Sequence, residues 1–548
     1  MKRILTLMIA LLMMTSVFGC QTPTEPASDE PQATESGTGT ETVGDALPEA
    51  ELAVSEPTKG GSITIGLNRA VNSLDPPKLD TSAAGQIMAL VGDTLLVCNK
   101  EGSYTGTLAT SWDISDDGTV YTFHLRDDVY FHPGAVQDGR KLVASDVVWS
   151  LEHSRSFFSN YLSMVTDMKA VDDATVQITI DKPNILLLNG LANRSNSITC
   201  PEEYEYWGDD QYGLHFVGTG AFMATEHVPD QYTICERFEK YWGETANLDS
   251  VTFKIIPDST QMINALLAGE IDVNLAVTGE SVQQVLSNEN LKLIQAPSFR
   301  VARVAFNVSN TESPISNAKV REALIMATDI NQLVAGVYRY NEQIASCLPV
   351  PMSSYGYTEE LASLVPGYDP EGAKALLAEA GYPDGFSLSI NFVSSDEWLQ
   401  IATVLQQFWK ENLNVDLVIN ATDSATNTEV MLNGTFETMI LTQGGTGDPL
   451  TFSGYFYATE KAHSNYNPGC YSNLDADALI AKAAATSSQE ERAAIFKELH
   501  ELVIPDYVSM YFATSNLSWG VNKKIRGIDA WETTFWVTDT FGNIWLEQ

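Results

Sequence analysis

The chain has 548 residues, and its 31 lysines and arginines stand against 71 aspartates and glutamates, which gives a formal net charge of −40. Nucleic acids bind proteins mainly through clustered basic side chains, so this composition excludes a nucleic-acid partner. Hydrophobic residues make up 44% of the chain, which is typical of a globular protein. The six cysteines are scattered and include no CxxC pair, which argues against a disulfide framework and against a zinc ribbon.

Residues 1–20 have the pattern of a secretory signal. Lys2 and Arg3 precede an apolar run that is too short to span a bilayer comfortably. The run ends in the sequence VFGC, which resembles a bacterial lipobox, a motif whose cysteine thiol is acylated. We therefore expect a lipoprotein signal peptide, with Cys20 as the lipidated residue.

Residues 21–58 are rich in proline, threonine, serine, glycine and glutamate and contain no lysine or arginine. Such a segment cannot bury enough apolar surface to offset the entropy lost on ordering, so it is predicted to be a disordered acidic tether. No later stretch approaches 18 apolar residues. The sequence thus predicts a large body displayed on a tether at the outer face of a membrane.

The body, from residue 59 onward, alternates between short strands and helices, the pattern of mixed α/β domains. Ile63, Ile65 and Leu67 alternate as in a half-buried strand. Farther on, two strand-like runs flank Asp-Asp-Gly at 116–118 and predict a hairpin. The ligand spacing of a calcium loop is absent there, so we interpret the acidic residues as a plain turn.

Three helices are predicted from their capping residues. Asp258 begins a helix that Gly269 ends, before a strand at 271–273. An aspartate N-cap, a proline at the first helical position and a terminal glycine predict a helix over 369–381. Serine and glutamate at capping-box spacing predict another over 488–504.

Motifs that identify enzymes are missing from the sequence. It contains no HExxH, no GxxxxGK[ST], no GxSxG and no GxGxxG after a strand. None of the seven histidines lies four residues from another on a plausible helix, so no metal site is predicted. We expect no catalytic residues and no cofactor. A carboxylate pair for glycoside hydrolysis is not singled out, because carboxylates are too abundant, and a secreted hydrolase stays open as an alternative.

Separated segments of the body carry a resemblance to a known family. They are GGSITIGLNRAVNSLDP at 60–76, DGTVYTFHLR at 117–126, ASDVVWSL at 144–151, GTGAF at 218–222, KVREALIMATD at 319–329 and YDPEGAKALLAEAGYPDGF at 368–386. In this order they resemble the bacterial extracellular solute-binding proteins of family 5, the oligopeptide- and dipeptide-binding lipoproteins of ABC transporters. The lipobox-like N-terminus agrees with that resemblance.

The resemblance implies an α/β fold of the two-lobe periplasmic-binding-protein type (class II, Venus-flytrap) with an extra inserted domain. Lobe I is expected to be discontinuous, and the expected ranges are 59–91, 201–300 and 516–548 for lobe I, 92–200 for the inserted domain and 301–515 for lobe II. A ligand that contacts both lobes binds the closed form better and therefore shifts the equilibrium toward closure.

The implied function is that of a non-enzymatic, monomeric binding component that captures peptides and delivers them to the permease subunits of an ABC importer. The implied location is the outer face of the bacterial cytoplasmic membrane, with a lipid anchor. Other members of the family take nickel complexes, oligosaccharides or opines, so a related small solute stays open. The same fold acting as a ligand-presenting sensor also stays open.

The charged anchors of peptide-binding members are not found where the resemblance places them. Gly445 stands where those proteins carry the aspartate that pairs with the peptide amine, and residues 391–398 contain no arginine for the carboxylate. The predicted ligand contacts are Asn68, Arg69, Arg300, Arg303, Asn307, Trp398, Gly444, Gly445, Thr446 and Asp448. Structural alternatives are that the two crossover arginines pair with surface carboxylates, that the tryptophan packs at a lobe edge and that Asp448 sets a turn.

Overall fold

The computed structural model describes residues 56–79, 81–99, 102–157, 162–339, 343–528 and 543–547. The predicted signal peptide with Cys20 and the predicted tether up to residue 55 lie outside these ranges. The described residues belong to one compact unit, Glu56–Gln548. Within them, no helix combines the length and the hydropathy that a membrane crossing requires.

Strands occur in every part of the body. In chain order they are β1 Ser62–Leu67, β2 Leu96–Cys98, β3 Tyr104–Gly106, β4 Ala109–Ile114, β5 Val120–Leu125, β6 Val165–Asp172, β7 Thr175–Ile180, β8 Phe222–Val228, β9 Tyr232–Arg237, β10 Ser250–Ile255, β11 Val273–Asn274, β12 Leu291–Phe306, β13 Gln343–Ala345, β14 Ser387–Val393, β15 Asp416–Thr422, β16 Thr438–Gly444, β17 Ser509–Asn522, β18 Ile525–Arg526 and β19 Trp545–Leu546.

The helices alternate with these strands, as the sequence pattern predicted. They are α1 Ser82–Val91, α2 Ala144–Phe157, α3 Leu186–Leu191, α4 Pro201–Trp207, α5 Ser259–Ala268, α6 Glu280–Leu286, α7 Ala318–Met326, α8 Ile330–Val337, α9 Glu359–Ala362, α10 Pro370–Glu379, α11 Asp396–Leu413, α12 Ser424–Leu432, α13 Ser453–Phe456, α14 Leu474–Ala485 and α15 Gln489–Val503.

One large sheet runs through the body. Among the described residues it has eleven strands, with the order β15-β14-β16-β12-β17-β11-β1-β10-β9-β8 and with β13 on the free side of β17. Its centre is the pair β12 and β17, which are 16 and 14 residues long and antiparallel. A strand rises about 3.3 Å per residue, so each of the two reaches from one half of the sheet into the other.

In sequence, the strands of a smaller antiparallel sheet, β4-β5-β7-β6, come between β1 and the later strands of the large sheet. The predicted hairpin around the acidic turn is its β4–β5 pair, and Gly118 at the turn has a φ of 71°. This sheet shares a buried core with α14 and α15, in which Phe123 of β5 belongs to the same cluster as Phe452 and Phe496. Fully burying one such side chain contributes roughly 2–3 kcal/mol.

The predicted helix caps are confirmed by their hydrogen bonds. The Asp369 side chain accepts from the Gly372 amide at the start of α10, and Ser488 accepts from the Glu491 amide at the start of α15. Asp258 likewise begins α5, which Gly269 ends in the left-handed conformation. Each cap satisfies a backbone donor that the helix leaves free, an effect that stabilises by about 1 kcal/mol.

The strand predicted at 271–273 is shorter than expected and begins only at Val273. Asp272 is still bonded to β1, because its amide donates to the Thr64 carbonyl at 2.7 Å and its Oδ2 accepts from the Thr64 amide at 2.9 Å. A carboxylate therefore replaces a main-chain carbonyl in the ladder, and the side-chain bond marks where regular pairing begins.

Candidate ligand-binding site

The two halves of the large sheet meet at a break in the pairing of β12 with β17. The register shifts between Pro297 and Val301, so the residues between them leave the β17 ladder. On the far side of the break, β12 pairs with β16, beginning with Arg300 opposite Gly444. The break thus puts an arginine next to a glycine on the neighbouring strand at the junction of the two halves.

Arg300 is exposed to water, but protein encloses part of its side chain. Desolvation lowers the pKa of its guanidinium, the positive charge of Arg69 lowers it further, and the carboxylate of Glu397 acts in the opposite direction. These residues come from three distant parts of the chain: Arg69 follows β1, Arg300 lies in β12 and Glu397 lies in the first turn of α11. The charges of Arg69 and Glu397 therefore both act on Arg300 at the junction of the sheet.

Neither Arg69 nor Arg300 has an ion-pair partner among the residues that the structure describes. Most other arginines of the body have carboxylate or carbonyl partners, as with Arg237 and Asp249 at 3.0 Å. In a chain with a formal net charge of −40, two neighbouring arginines with no carboxylate at ion-pair distance among the described residues are unexpected. Like charges repel, so such a pair is an attractive site for an anionic group. Asn68, beside Arg69, is exposed at the same end of β1.

Glu397 was not among the predicted contacts. Its Oε1 accepts a hydrogen bond from the Tyr338 hydroxyl at 2.5 Å, which fixes the carboxylate at the start of α11. The family resemblance implies an arginine within 391–398 and does not single out this acid. The neighbouring Trp398 is half-buried and packs against the core of the second half of the sheet, while its amide is capped by Ser395 at 3.2 Å.

The glycine segment after β16 has little room for side chains. The Gly445 amide donates to the Phe299 carbonyl at 2.9 Å, and a Cβ at Gly445 would lie 2.6 Å from atoms of both Phe452 and Thr451. Contacts below 3.0 Å force a neighbour to move, so any side chain at this position has to displace Phe452 and Thr451. Thr446, which is partly exposed, is fixed through its amide to Thr451 Oγ1 at 2.9 Å.

Asp448 lies in the interior, where a ligand in the junction does not reach it. Its side chain is 0% exposed and forms an ion pair with Arg492 at 2.5 Å. It also accepts from the Leu450 amide at 2.9 Å and from the Tyr355 hydroxyl at 3.0 Å. The geometry supports the structural alternative for this residue, and we do not carry Asp448 into the proposed site.

Arg303 and Asn307 are also buried, with 2% and 0% of their surface exposed. Arg303 donates to the Tyr466 carbonyl at 2.5 Å, and its guanidinium lies 4.0 Å from the centre of the Phe456 ring. Asn307 donates to the carbonyls of Gly434 and Phe436, both at 2.9 Å. Both residues hold loops in place, so their predicted ligand contacts are not carried forward. Arg303 does not pair with a surface carboxylate either, because its partners are main-chain carbonyls and the hydroxyls of Ser509 and Tyr511.

One serine and histidine lie close enough to suggest a hydrolase. Ser453 Oγ and His500 Nε2 are 2.6 Å apart, but both residues are 0% exposed, and the other ring nitrogen, Nδ1, has no hydrogen-bond partner. Hydrolases orient that nitrogen with a carboxylate and expose the serine to substrate. The pair is therefore a packing contact. Within the described ranges no three metal-ligating side chains come together.

Comparison with known proteins identifies the fold and the family. The profile of the bacterial extracellular solute-binding proteins, family 5 (middle region), matches residues 103–464, more than half of the chain. The dipeptide-binding protein of Escherichia coli K12 is 26% identical over 449 residues, which cover 77% of this chain and 82% of that protein.

Solved structures agree with the sequence match. HbpA2 of Haemophilus parasuis superposes with a TM-score of 0.80 at 25% identity, over 89% of this chain and 100% of that one. DppA of Helicobacter pylori, an ABC-transporter-associated periplasmic binding protein solved with the peptide STSA, superposes with a TM-score of 0.72 at 25% identity, over 90% and 99%. The predicted periplasmic-binding-protein fold is confirmed. The chain belongs to the bacterial extracellular solute-binding proteins of family 5, a family of extracytoplasmic binding proteins rather than enzymes.

Proposed function

We propose that this protein is the lipid-anchored, monomeric binding component of an ABC importer and that it captures a short peptide, or a solute with the same two charged ends, between two lobes. Lobe I consists of residues 59–91, 201–300 and 516–548. The inserted domain consists of residues 92–200, and lobe II consists of residues 301–515. Cys20 carries the anchor, which holds the body at the outer face of the cytoplasmic membrane, where it delivers its ligand to the permease subunits.

The observation that supports this proposal most strongly is that the charges of Arg69 and Glu397 both act on Arg300, which lies at the sheet junction. The two arginines offer donors for a carboxylate, and Glu397 offers an acceptor for an amine. The anchors of peptide-binding relatives are absent at Gly445 and in 391–398, and these three residues supply the same two charges from other positions. A buried zwitterion requires a partner at each end, and this arrangement provides both.

The positions of these residues also explain how a ligand favours closure. Arg69 follows β1 of lobe I, while Glu397 begins α11 of lobe II. A ligand that bridges them gains both interactions only in the closed form, so it shifts the open–closed equilibrium by that difference in affinity. The peptide class itself is supported by relatives whose names record it, the dipeptide-binding protein and DppA with its bound peptide.

The test is calorimetric titration of the full-length chain carrying Cys20→Ser with a set of di- to tetrapeptides, each also prepared with an amidated C-terminus and with an acetylated N-terminus. We expect Arg300→Gln to weaken binding of the free peptide by about 10- to 100-fold, the range for a lost hydrogen bond to a charged group. The amidated peptide should bind the wild-type protein weakly, and Arg300→Gln should reduce its affinity little further, because the two changes remove the same contact.

The matched control is Arg155→Gln, which removes a charge from the outer end of α2 and should leave the affinity unchanged. The acetylated peptide should bind the wild-type protein more weakly than the free peptide does. Glu397→Gln should reduce the affinity for the acetylated peptide little further. Native mass spectrometry of the purified chain gives an independent reading of what it carries. A single non-peptide mass together with no peptide titration would overturn the peptide proposal.

A further inference from the structure

The charged groups at the sheet junction do not balance one another. Arg69 and Arg300 each carry a positive charge, and within the described ranges Glu397 is the one carboxylate whose charge acts on Arg300. The three groups therefore leave one positive charge in excess. This local excess is opposite to the composition of the chain, in which 71 acidic residues outnumber 31 lysines and arginines.

The geometry of β12 leaves Arg300 open to a ligand. Phe299 and Val301, which flank it, are buried in the core that is shared with the smaller sheet. Successive side chains of a strand point to opposite faces, so Arg300 points away from that core. Its side chain is exposed, as are those of Arg69 and Glu397. All three charges are therefore accessible to a solute that enters the junction.

Glu397 does not neutralise either arginine by direct contact. Its carboxylate accepts a hydrogen bond from the Tyr338 hydroxyl at 2.5 Å, and it has no ion-pair partner in the part of the chain that the structure describes. The carboxylate is thus held in place with its charge intact. Both guanidinium groups likewise remain free to bind a carboxylate, and each can do so through a planar pair of N–H donors.

A ligand with one carboxylate and one amine leaves the excess charge in place. Such a zwitterion is neutral, so closure of the lobes over it encloses one arginine without a counter-charge. Enclosing an unpaired charge is costly, whereas a charge that is paired and hydrogen-bonded is tolerated. A ligand with a second carboxylate supplies the missing counter-charge.

We propose that the site selects short peptides that end in aspartate or glutamate, with Arg300 bound to the terminal carboxylate and Arg69 bound to the carboxylate of the last side chain. This inference rests on the proposed peptide-binding function, in which Glu397 receives the amine. The charges of the two arginines repel each other in the free protein. A C-terminal acidic residue carries both of its carboxylates on one residue and so presents them together to the neighbouring arginines.

The test is calorimetric titration of the full-length chain carrying Cys20→Ser with the tripeptides Ala-Ala-Glu, Ala-Ala-Gln and Glu-Ala-Ala. We expect Ala-Ala-Glu to bind about 10- to 100-fold more tightly than Ala-Ala-Gln, the range for hydrogen bonds to a charged group. Glu-Ala-Ala has the same net charge as Ala-Ala-Glu but should bind like Ala-Ala-Gln, because its acidic side chain lies at the other end of the peptide.

Two substitutions of Arg69 separate specificity from a structural effect. Arg69→Gln should abolish the preference for Ala-Ala-Glu without weakening the binding of Ala-Ala-Gln, a pattern that a misfolded variant would not produce. Arg69→Glu reverses the charge and should bind Ala-Ala-Lys more tightly than Ala-Ala-Glu. Arg155→Gln, which removes a charge from the surface of α2, is the matched control and should keep the wild-type preference.

The outcomes distinguish this inference from the proposed function. Equal binding of Ala-Ala-Glu and Ala-Ala-Gln by the wild-type protein would overturn the inference and leave peptide binding intact. A preference that survives Arg69→Gln, or a Glu-Ala-Ala affinity equal to that of Ala-Ala-Glu, would also overturn it. A wild-type protein that binds none of these or other free peptides would overturn the proposed function as well.

Discussion

Asp448 and Arg492 form an ion pair in the interior, with Nη2 of the arginine 2.5 Å from the carboxylate and side chains that are 0% and 3% exposed. The carboxylate also accepts from the Leu450 amide and the Tyr355 hydroxyl. This pair follows the glycine segment of the proposed ligand site and fixes the turn at its end. Its charges are satisfied by each other, so neither is available to a ligand.

Removing one partner of this pair should destabilise the protein strongly. Asp448→Asn leaves the Arg492 charge buried without a counter-charge, and breaking a buried pair in this way costs about 3–5 kcal/mol. Urea unfolding of the two proteins measures the difference. Asp416→Asn is the control, because Asp416 pairs with Lys410 at 2.7 Å on the surface and should change the free energy of unfolding by less than about 1 kcal/mol. Equal losses in the two variants would contradict the assigned role of Asp448.

The local parts of the fold were predictable from the sequence, because capping residues and apolar periodicity act over a few positions. Asp369 and Ser488 predicted helices over 369–381 and 488–504. Both helices are present, and their ends lie within one or two residues of the predicted ends. The family-like segments gave the architecture, which matches the solved relatives.

The proposed site was less predictable, because its contacts join residues far apart in the chain. The bond between Tyr338 and Glu397 spans 59 positions, and the pair of Asp448 with Arg492 spans 44. Neither spacing has a local signature. The position of Arg300 opposite Gly444 depends on the register of β12 with β16, which no single strand specifies. Sequence therefore named Arg300 as a candidate but did not distinguish it from the buried Arg303.

Gly445 should not tolerate an aspartate side chain. A Cβ there would lie 2.6 Å from Phe452 and Thr451, so Gly445→Asp has to displace the buried ring. Overpacking of this kind costs about 1–3 kcal/mol. We expect a lower melting temperature and weaker rather than stronger peptide binding. Gly367→Ala is the control, since nothing lies within 4 Å of its added Cβ. An affinity gain in Gly445→Asp would show that the segment adapts and that the steric argument is wrong.

Stability should fall between pH 6.5 and pH 4 because of two buried histidines. Burial lowers the pKa of His132 and that of His500 to about 4, and neither has a partner on Nδ1. In the unfolded chain both titrate near the ordinary value of about 6.5. The unfolded state therefore binds more protons as the pH falls from 6.5, and each histidine removes roughly 3 kcal/mol by pH 4.

Melting temperatures at intervals from pH 8 to pH 4 test this expectation. They should be flat above pH 7 and should fall below pH 6.5. The double variant His132→Gln/His500→Gln should have a shallower slope, whatever its stability at pH 7. The control His215→Gln changes an exposed histidine and should keep the wild-type slope. A double variant that declines as steeply as wild type would assign the acid sensitivity to other groups.

Arg303 should control the order of the loop that carries Cys470. Its guanidinium reaches the carbonyl of Tyr466 at 2.5 Å and Ser509 Oγ at 3.2 Å at the same time, which requires a planar fork. Arg303→Lys keeps the buried charge but satisfies fewer of these acceptors, at a cost of about 1–3 kcal/mol. We expect faster amide hydrogen exchange in peptides covering 462–470 and unchanged exchange in α11. Arg155→Lys, on the surface of α2, is the control and should exchange like wild type throughout. If the loop stays protected in Arg303→Lys, its order comes from the Asn467 side chain, which bonds to the carbonyls on either side of it.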